Sequence, residues 1–222
     1  MEAKVESMNN HETVLQKFYD ARASAILRTG DAAVVVPAME AAVRGGFRIV
    51  EFTLTTPGAL DAIAHFSKQD DLVVGAGTVL TRDQAKAAVD AGAQFLVSPV
   101  VDESVISLAC DLGVAALPGA HTPTELFRAH SFGAPFQKLF PAPTGGPDWL
   151  RSVLGPLPFL KIVPTNGVDE GNVGDWLDAG AFAVGFVKAL FDTEDLKNKR
   201  FDRIESRARL LLEATMGVRR PS

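Results

Sequence analysis

One cysteine, Cys110, is all the thiol that this chain of 222 residues has. That excludes an intramolecular disulfide and a zinc site built on several cysteines. In the helical pattern "ESVISLACDLG" the thiol is expected to be buried and inert. Positive charge is also scarce, with 22 Lys and Arg against 27 Asp and Glu, a net charge of −5. No basic run or patch is dense enough to follow a phosphate backbone, so nucleic acid is not an expected partner. Long apolar runs are missing too: "AALPGA" and "AFAVGFVKALF" are short and broken by Gly, Pro or Lys, well under the roughly 18 residues of a membrane span. A soluble protein without a membrane partner is expected. The opening "MEAKVESMNNHETVLQKFYD" has neither the apolar stretch of a secretion signal nor the acid-poor, Arg- and Ser-rich character of a transit peptide. The expected location is the cytoplasm, or an organelle after removal of a targeting peptide. His11, His65, His121 and His130 show no metal-ligand spacing such as HExxH, and no metal is expected. Of the four, only His121 follows a strand end, where it is a candidate loop contact.

What is present is one repeated unit. A short apolar run rich in β-formers is followed by a few Gly, Pro, Thr or Asp residues, then by about ten residues with helical spacing that stop at Gly. The runs are "SAILR", "RIVEFTL", "DLVVGAGTV", "FLVSP", "VAALPGA", "FQKLFP", "FLKIVPT" and "FAVGFV", with helices such as "TRDQAKAAVDAG", capped by Thr81 and stopped at Gly92, between them. Eight βα units without a linker or compositional break predict an α/β protein, a single (β/α)8 barrel over about 23–191. An extra helix over about 11–22 precedes it, perched to cover the barrel bottom, and a helical segment over 192–222 follows, ending in a basic, mobile tail "VRRPS" with no assigned role. An open doubly wound sheet is the alternative. Its dinucleotide signature is absent, because "GAGTVL" does not match GxGxxG.

In such a barrel, chemistry belongs where strands end and βα loops begin. Lys138 lies near the end of the sixth strand and shares a face with Phe136 and Phe140. Either its ammonium reaches water, or it points into the core, where burial disfavours its charge and frees a nucleophilic amine. Both faces of a barrel strand are covered, which disfavours the first reading. Glu51, in the apolar strand "RIVEFTL", would cost several kcal/mol to bury unpaired. It is read as Lys138's partner, either as a structural ion pair or as an acid/base carboxylate beside a nucleophile. The other strand ends carry Arg28, Thr78, Ser98 and Pro99, Pro118 and Gly119, and Thr165, Asn166 and Gly167. Each alone reads as turn chemistry; together they form a ring of hydroxyls and N–H groups suited to a small anion. Lys161 starts the seventh strand, at the wrong end for chemistry. Lys188 follows the eighth strand, to meet an anionic ligand or to open the next helix.

The ordered motifs "VEFTL", "VGAGTVL", "FLVSP", "LPGAHTPTEL", "QKLFPA" and "KIVPTNGV" resemble those of the KDPG/KHG aldolase family, class I aldolases that cleave 2-keto-3-deoxy-6-phosphogluconate (KDPG) or 4-hydroxy-2-oxoglutarate (KHG) to pyruvate and an aldehyde. The resemblance runs from about Ala23 to Leu190. It implies that Lys138 is the Schiff-base lysine and Glu51 the general acid/base, with Thr78 at the pyruvyl group, Pro118 and Gly119 in the pocket wall, and Arg28 on the substrate carboxylate. It implies no cofactor and no metal, since the iminium is the electron sink, and a homotrimer that acts on a small keto acid. Two stretches depart from the family pattern. Relatives that handle a phosphorylated substrate usually read "PTGG" after strand 7 and Gly-Ser after strand 8, whereas this chain has "PTNG", Thr165 to Gly167, and "GFVK", Gly185 to Lys188. Thr55 stands where some members carry Arg. The expected reaction is aldol cleavage with 4-hydroxy-2-oxoglutarate preferred, together with oxaloacetate decarboxylation. The alternatives are KDPG cleavage and a non-catalytic keto-acid-binding or regulatory protein.

Overall fold

The structure, a computed structural model, describes residues 2–218, with side chains from Glu12 onward. The tail "VRRPS" beyond Val218 and the side chain of His11 lie outside the described residues. Eight strands run β1 Ala23–Leu27, β2 Ile49–Thr53, β3 Val73–Gly77, β4 Phe95–Ser98, β5 Ala115–Ala120, β6 Gln137–Leu139, β7 Ile162–Pro164 and β8 Val184–Phe186. All pairings are parallel in the order β7-β6-β5-β4-β3-β2-β1-β8. The remaining seam, β7 to β8, is joined by a bridge between Thr165 and Gly185 and by the Phe182 N–H donating to the Ile162 carbonyl at 2.8 Å. The sheet thus curls into the (β/α)8 barrel that the eight units predicted.

The helices are α1 Glu2–Ala21, α2 Val35–Arg44, α3 Ala59–Phe66, α4 Arg82–Asp90, α5 Glu103–Asp111, α6 Pro123–Ser131, α7 Gly146–Leu154, α8 Val173–Asp178, α9 Thr193–Lys197 and α10 Phe201–Met216. Their ends follow local chemistry. The Thr81 hydroxyl accepts the Gln84 N–H at the start of α4, and Thr122 and Glu125 form a reciprocal capping box on α6. Gly92, with φ 103°, takes the left-handed turn after α4. The long pattern "AAVVVPAMEAAVRGG" divides into a 3₁₀ turn at Ala32–Val34, capped by the Asp31 carboxylate, and α2. The N-terminal helix expected over 11–22 is longer, starting at Glu2. Among the described residues no helix is long and apolar enough to cross a membrane.

Two hydrophobic cores form, one on each side of the sheet. The outer core is alternate strand residues such as Val50, Phe52, Val74 and Ala116 packed against the helices. The inner core is the opposite set, Ile49, Val73, Phe95, Val97, Ala115, Leu117, Phe136, Val163 and Ala183, joined by Val14 and Phe18 of α1. Phe18 meets the Phe95 ring edge-on at 5.2 Å and Phe136 at 4.8 Å, so α1 plugs the end where the strands begin.

One expectation is corrected. Cys110 is exposed, because the apolar stripe of α5 is Val105, Ile106 and Ala109 and the thiol falls just past it. Partial burial and the nearby Asp111 push its pKa upward, which keeps the thiol protonated and unreactive.

Candidate active site

Strand alternation sends Ile49, Glu51 and Thr53 of β2 inward, and likewise Phe136, Lys138 and Phe140 around β6. Ile49 and Phe136 join the inner core, while Glu51 and Lys138 stand one step nearer the strand ends. Both are buried, 1% and 7% exposed. The Lys138 Nζ lies 3.9 Å from the Glu51 Oε1 and 5.4 Å from the centre of the Phe140 ring. That oxygen has no hydrogen-bond partner among the described residues.

The electrostatics follow from this burial. Burial raises the Glu51 pKa, and the Lys138 and Arg28 charges only partly oppose it. Burial lowers the Lys138 pKa, Glu51 pulls it back and Arg28 adds to the lowering. Each group is pushed toward its neutral form, the amine toward a free base and the carboxyl toward an acid.

The two glycines of "VVGAG" make this arrangement possible. A Cβ on Gly77 would collide with the Glu51 carboxylate, and one on Gly75 with the Phe95 ring. Beyond them Thr78 takes φ 60°, a conformation rarely open to a β-branched residue, and its hydroxyl accepts from Arg28 Nη2 at 3.4 Å. Above Glu51 the hydroxyls of Thr53, Thr55 and Thr56 form a chain, with spacings of 3.2 Å and 3.0 Å.

A cavity of about 870 Å³ opens at the strand ends, and Arg28, Lys138, Thr165, Asn166 and Lys188 of the expected set line it. Glu51 and Thr78 sit just behind its wall, through Lys138 and Arg28 respectively. Asn166 adopts φ 64°, a left-handed turn that Asn tolerates better than most residues. The remaining four do not line the cavity. Pro118 falls on the outward register of β5 with Ala116 and Ala120. Gly119 is pressed against Pro99, whose carbonyl would lie 2.6 Å from an added Cβ. Gly167, at φ 105°, turns the chain beside Ala142. Gly185 leaves room for Ile26 and Thr165, 2.7 Å from its missing Cβ, where the barrel closes. Ser98 is spent on a turn with Val100. Lys161 precedes β7 at the opposite end, its carbonyl accepting the Gln137 N–H. His121 does make a loop contact, its Nδ1 lying 2.9 Å from the Pro141 carbonyl.

Sequence reasoning missed one wall entirely. Phe191, Leu196 and Lys197 line the cavity from the segment after β8, and Thr55 and Asp31 complete it. The available signal was the Asp192 cap in "FDTEDLK", whose carboxylate accepts from the Glu194 and Asp195 N–H groups and starts α9.

The chain matches the family model described as "KDPG and KHG aldolase" over residues 14–207. It is 33% identical to the KHG/KDPG aldolase of Escherichia coli K12 over 208 residues, 89% of this chain and 98% of that one. Among solved structures, one described as native KDPGal superposes with a TM-score of 0.81 at 28% identity, over 88% of this chain and 94% of the other. The KDPG aldolase of Legionella pneumophila, with pyruvate captured as a covalent carbinolamine, matches with a TM-score of 0.77 at 28% identity, over 90% and 95%.

Proposed function

This chain belongs to the KDPG and KHG aldolase family, a family of lyases, and from that premise we propose that Lys138 and Glu51 carry its reaction and that 4-hydroxy-2-oxoglutarate is its preferred substrate. The observation that carries the chemistry is the buried Lys138–Glu51 pair, 3.9 Å apart, with Lys138 lining the cavity.

In this reading the Lys138 amine, partly neutral because of its burial, attacks the C2 ketone. Glu51 donates a proton to the resulting carbinolamine oxygen, water leaves, and an iminium joins Lys138 to the substrate. Glu51, now a carboxylate, takes the C4 hydroxyl proton. The C3–C4 bond breaks, its electron pair flows into the iminium to give an enamine, and the aldehyde departs. Protonation of the enamine at C3 and hydrolysis of the iminium release pyruvate and restore Lys138. The pyruvate carbinolamine described for the Legionella enzyme is an adduct of the type this sequence of steps requires. With oxaloacetate the same iminium accepts the electron pair left by CO2.

Substrate preference rests on the strand ends. Asn166 and the pair Val187–Lys188 stand where phosphate-handling relatives carry small residues, and a β-branched side chain blocks the close backbone approach that a phosphate uses. KDPG is the competing substrate. Comparison of kcat/KM for 4-hydroxy-2-oxoglutarate, KDPG and oxaloacetate tests the preference, and a clear lead for KDPG would overturn it. Borohydride trapping with pyruvate followed by mass spectrometry tests the chemistry: an adduct on Lys138 is expected, and none would favour the non-catalytic reading. Homotrimeric assembly is part of the same proposal, checked by sedimentation.

A further inference from the structure

The cavity differs in charge from the molecule around it. The chain carries −5 overall, yet the cavity is lined by Arg28, Lys138, Lys188 and Lys197 against a single carboxylate, Asp31. That carboxylate is already committed, accepting the Ala33 N–H at 2.9 Å. Lys138 belongs to the reacting end. Lys188 and Lys197 are exposed, and among the described residues neither enters an ion pair.

Lys197 is also held in place from behind. It ends α9, and the carboxylate of Asp195 on that helix, 2% exposed, is gripped by Arg207 at 2.5 Å with Arg200 and Arg203 at 3.7 Å. Arg207 also donates to the Leu190 carbonyl at 3.0 Å, so one guanidinium of α10 ties the loop after β8 to α9. These hydrogen bonds hold the Asp195 pKa below its ordinary range, and the clasp stays charged near neutrality.

We propose that Lys197, presented by the Arg207–Asp195 clasp, is a specificity-determining residue that acts with Lys188 on the far anionic group of the keto-acid substrate. Lysine ammonium groups are compact charges on flexible stems. They select a charged tail over a neutral one without demanding the geometry of a backbone cradle. Arg207 is a positioning residue in this scheme. The inference rests on the proposed reaction, to which it adds how the substrate's second end is recognised.

The test uses three substrates on the full chain: 4-hydroxy-2-oxoglutarate, KDPG, and 4-hydroxy-2-oxopentanoate, whose tail is a neutral methyl group. Lys197→Met is expected to raise KM about three- to fivefold for the two charged-tail substrates, the size of one solvent-exposed ion pair. It leaves kcat and the neutral-tail KM within twofold. Arg207→Met should move KM the same way, with kcat again unchanged. Equal changes for charged and neutral tails in Lys197→Met, or none for either, would overturn the inference. Pyruvate trapping on Lys138 of the unaltered protein separates the two levels. If the adduct forms while the tail preference is indifferent to Lys197, only the inference falls; if no adduct forms, the reaction itself falls and the inference with it.

Discussion

The two ends of the barrel interior are built from the same strands and are opposite in kind. Where the strands begin, Phe95, Phe136, Val73 and Ile49 close on Phe18 of α1 in a dry hydrocarbon plug. One residue pair further along, the same inward register holds Glu51, Gly75 and Lys138, and one more step brings Thr53, Gly77 and Thr165. The plug supplies stability, and the buried Ser24 hydroxyl beside it is satisfied by donating to the Val184 carbonyl at 3.4 Å. The far end contains a buried Lys–Glu pair, each member pushed toward its neutral form, with an oxygen unpartnered among the described residues, and a threonine at positive φ, features that cost stability. Stability and the proposed chemistry are thus segregated along a strand by two residues, and each end can be changed with the other as its control.

The largest expected effect is at the reactive end. Lys138→Met should lower kcat roughly 10⁴-fold or more and abolish borohydride trapping, while thermal unfolding still shows one folded protein. The mirror experiment is Phe18→Ala, expected to cost about 3–5 kcal/mol in denaturant unfolding through the cavity it leaves, with kcat unchanged wherever the protein remains folded. A loss of kcat at constant fold would show that the two ends are coupled. Glu51→Gln comes next, lowering kcat by about 10²- to 10⁴-fold as expected for loss of a general acid/base.

The same Glu51→Gln substitution sharpens the comparison through pH. Glu51 has a folded pKa raised above its ordinary value of 4.5, so its favourable contribution is complete below that value and is lost as pH rises through the folded pKa. The gap in Tm between the variant and the original protein should therefore widen in the variant's favour from about pH 4.5 toward neutrality, by roughly 2–4 °C for each kcal/mol relieved. A gap that stays flat with pH would mean that Glu51 is not destabilised by its burial. Smallest is Gly77→Ala, which drives a methyl into the Glu51 carboxylate. It should cost about 1–3 kcal/mol of stability and lower kcat more than KM, read from urea midpoints and initial rates.

The barrel and the meeting of Lys138 with Glu51 were legible because both rest on strand alternation. Phe136, Lys138 and Phe140 share a face whatever surrounds them, and so do Ile49 and Glu51. What was not legible depends on neighbours distant in the chain. Gly77 reads locally as a turn glycine, and only the folded barrel shows that it makes room for a carboxylate on the adjacent strand. Pro118 was assigned to the pocket although its own alternation with Leu117 turns it toward the helices. Gly119 and Gly185 sit at strand ends where a ligand contact is expected, whereas each makes room for a neighbouring strand or its end. The wall formed by Phe191, Leu196 and Lys197 left almost no trace, because α9 is five residues long and owes its position to arginines on α10.

The helix across the barrel bottom also governs traffic. With that end closed by Phe18 and its aromatic neighbours, the cavity at the strand ends is the doorway open to the proposed reaction. In that proposal the fragment tethered to Lys138 would lie toward the closed end, with the untethered aldehyde between it and the doorway. Release would then be sequential, aldehyde first and pyruvate second. In the synthetic direction the proposed order would reverse, pyruvate being loaded before an aldehyde is joined to it.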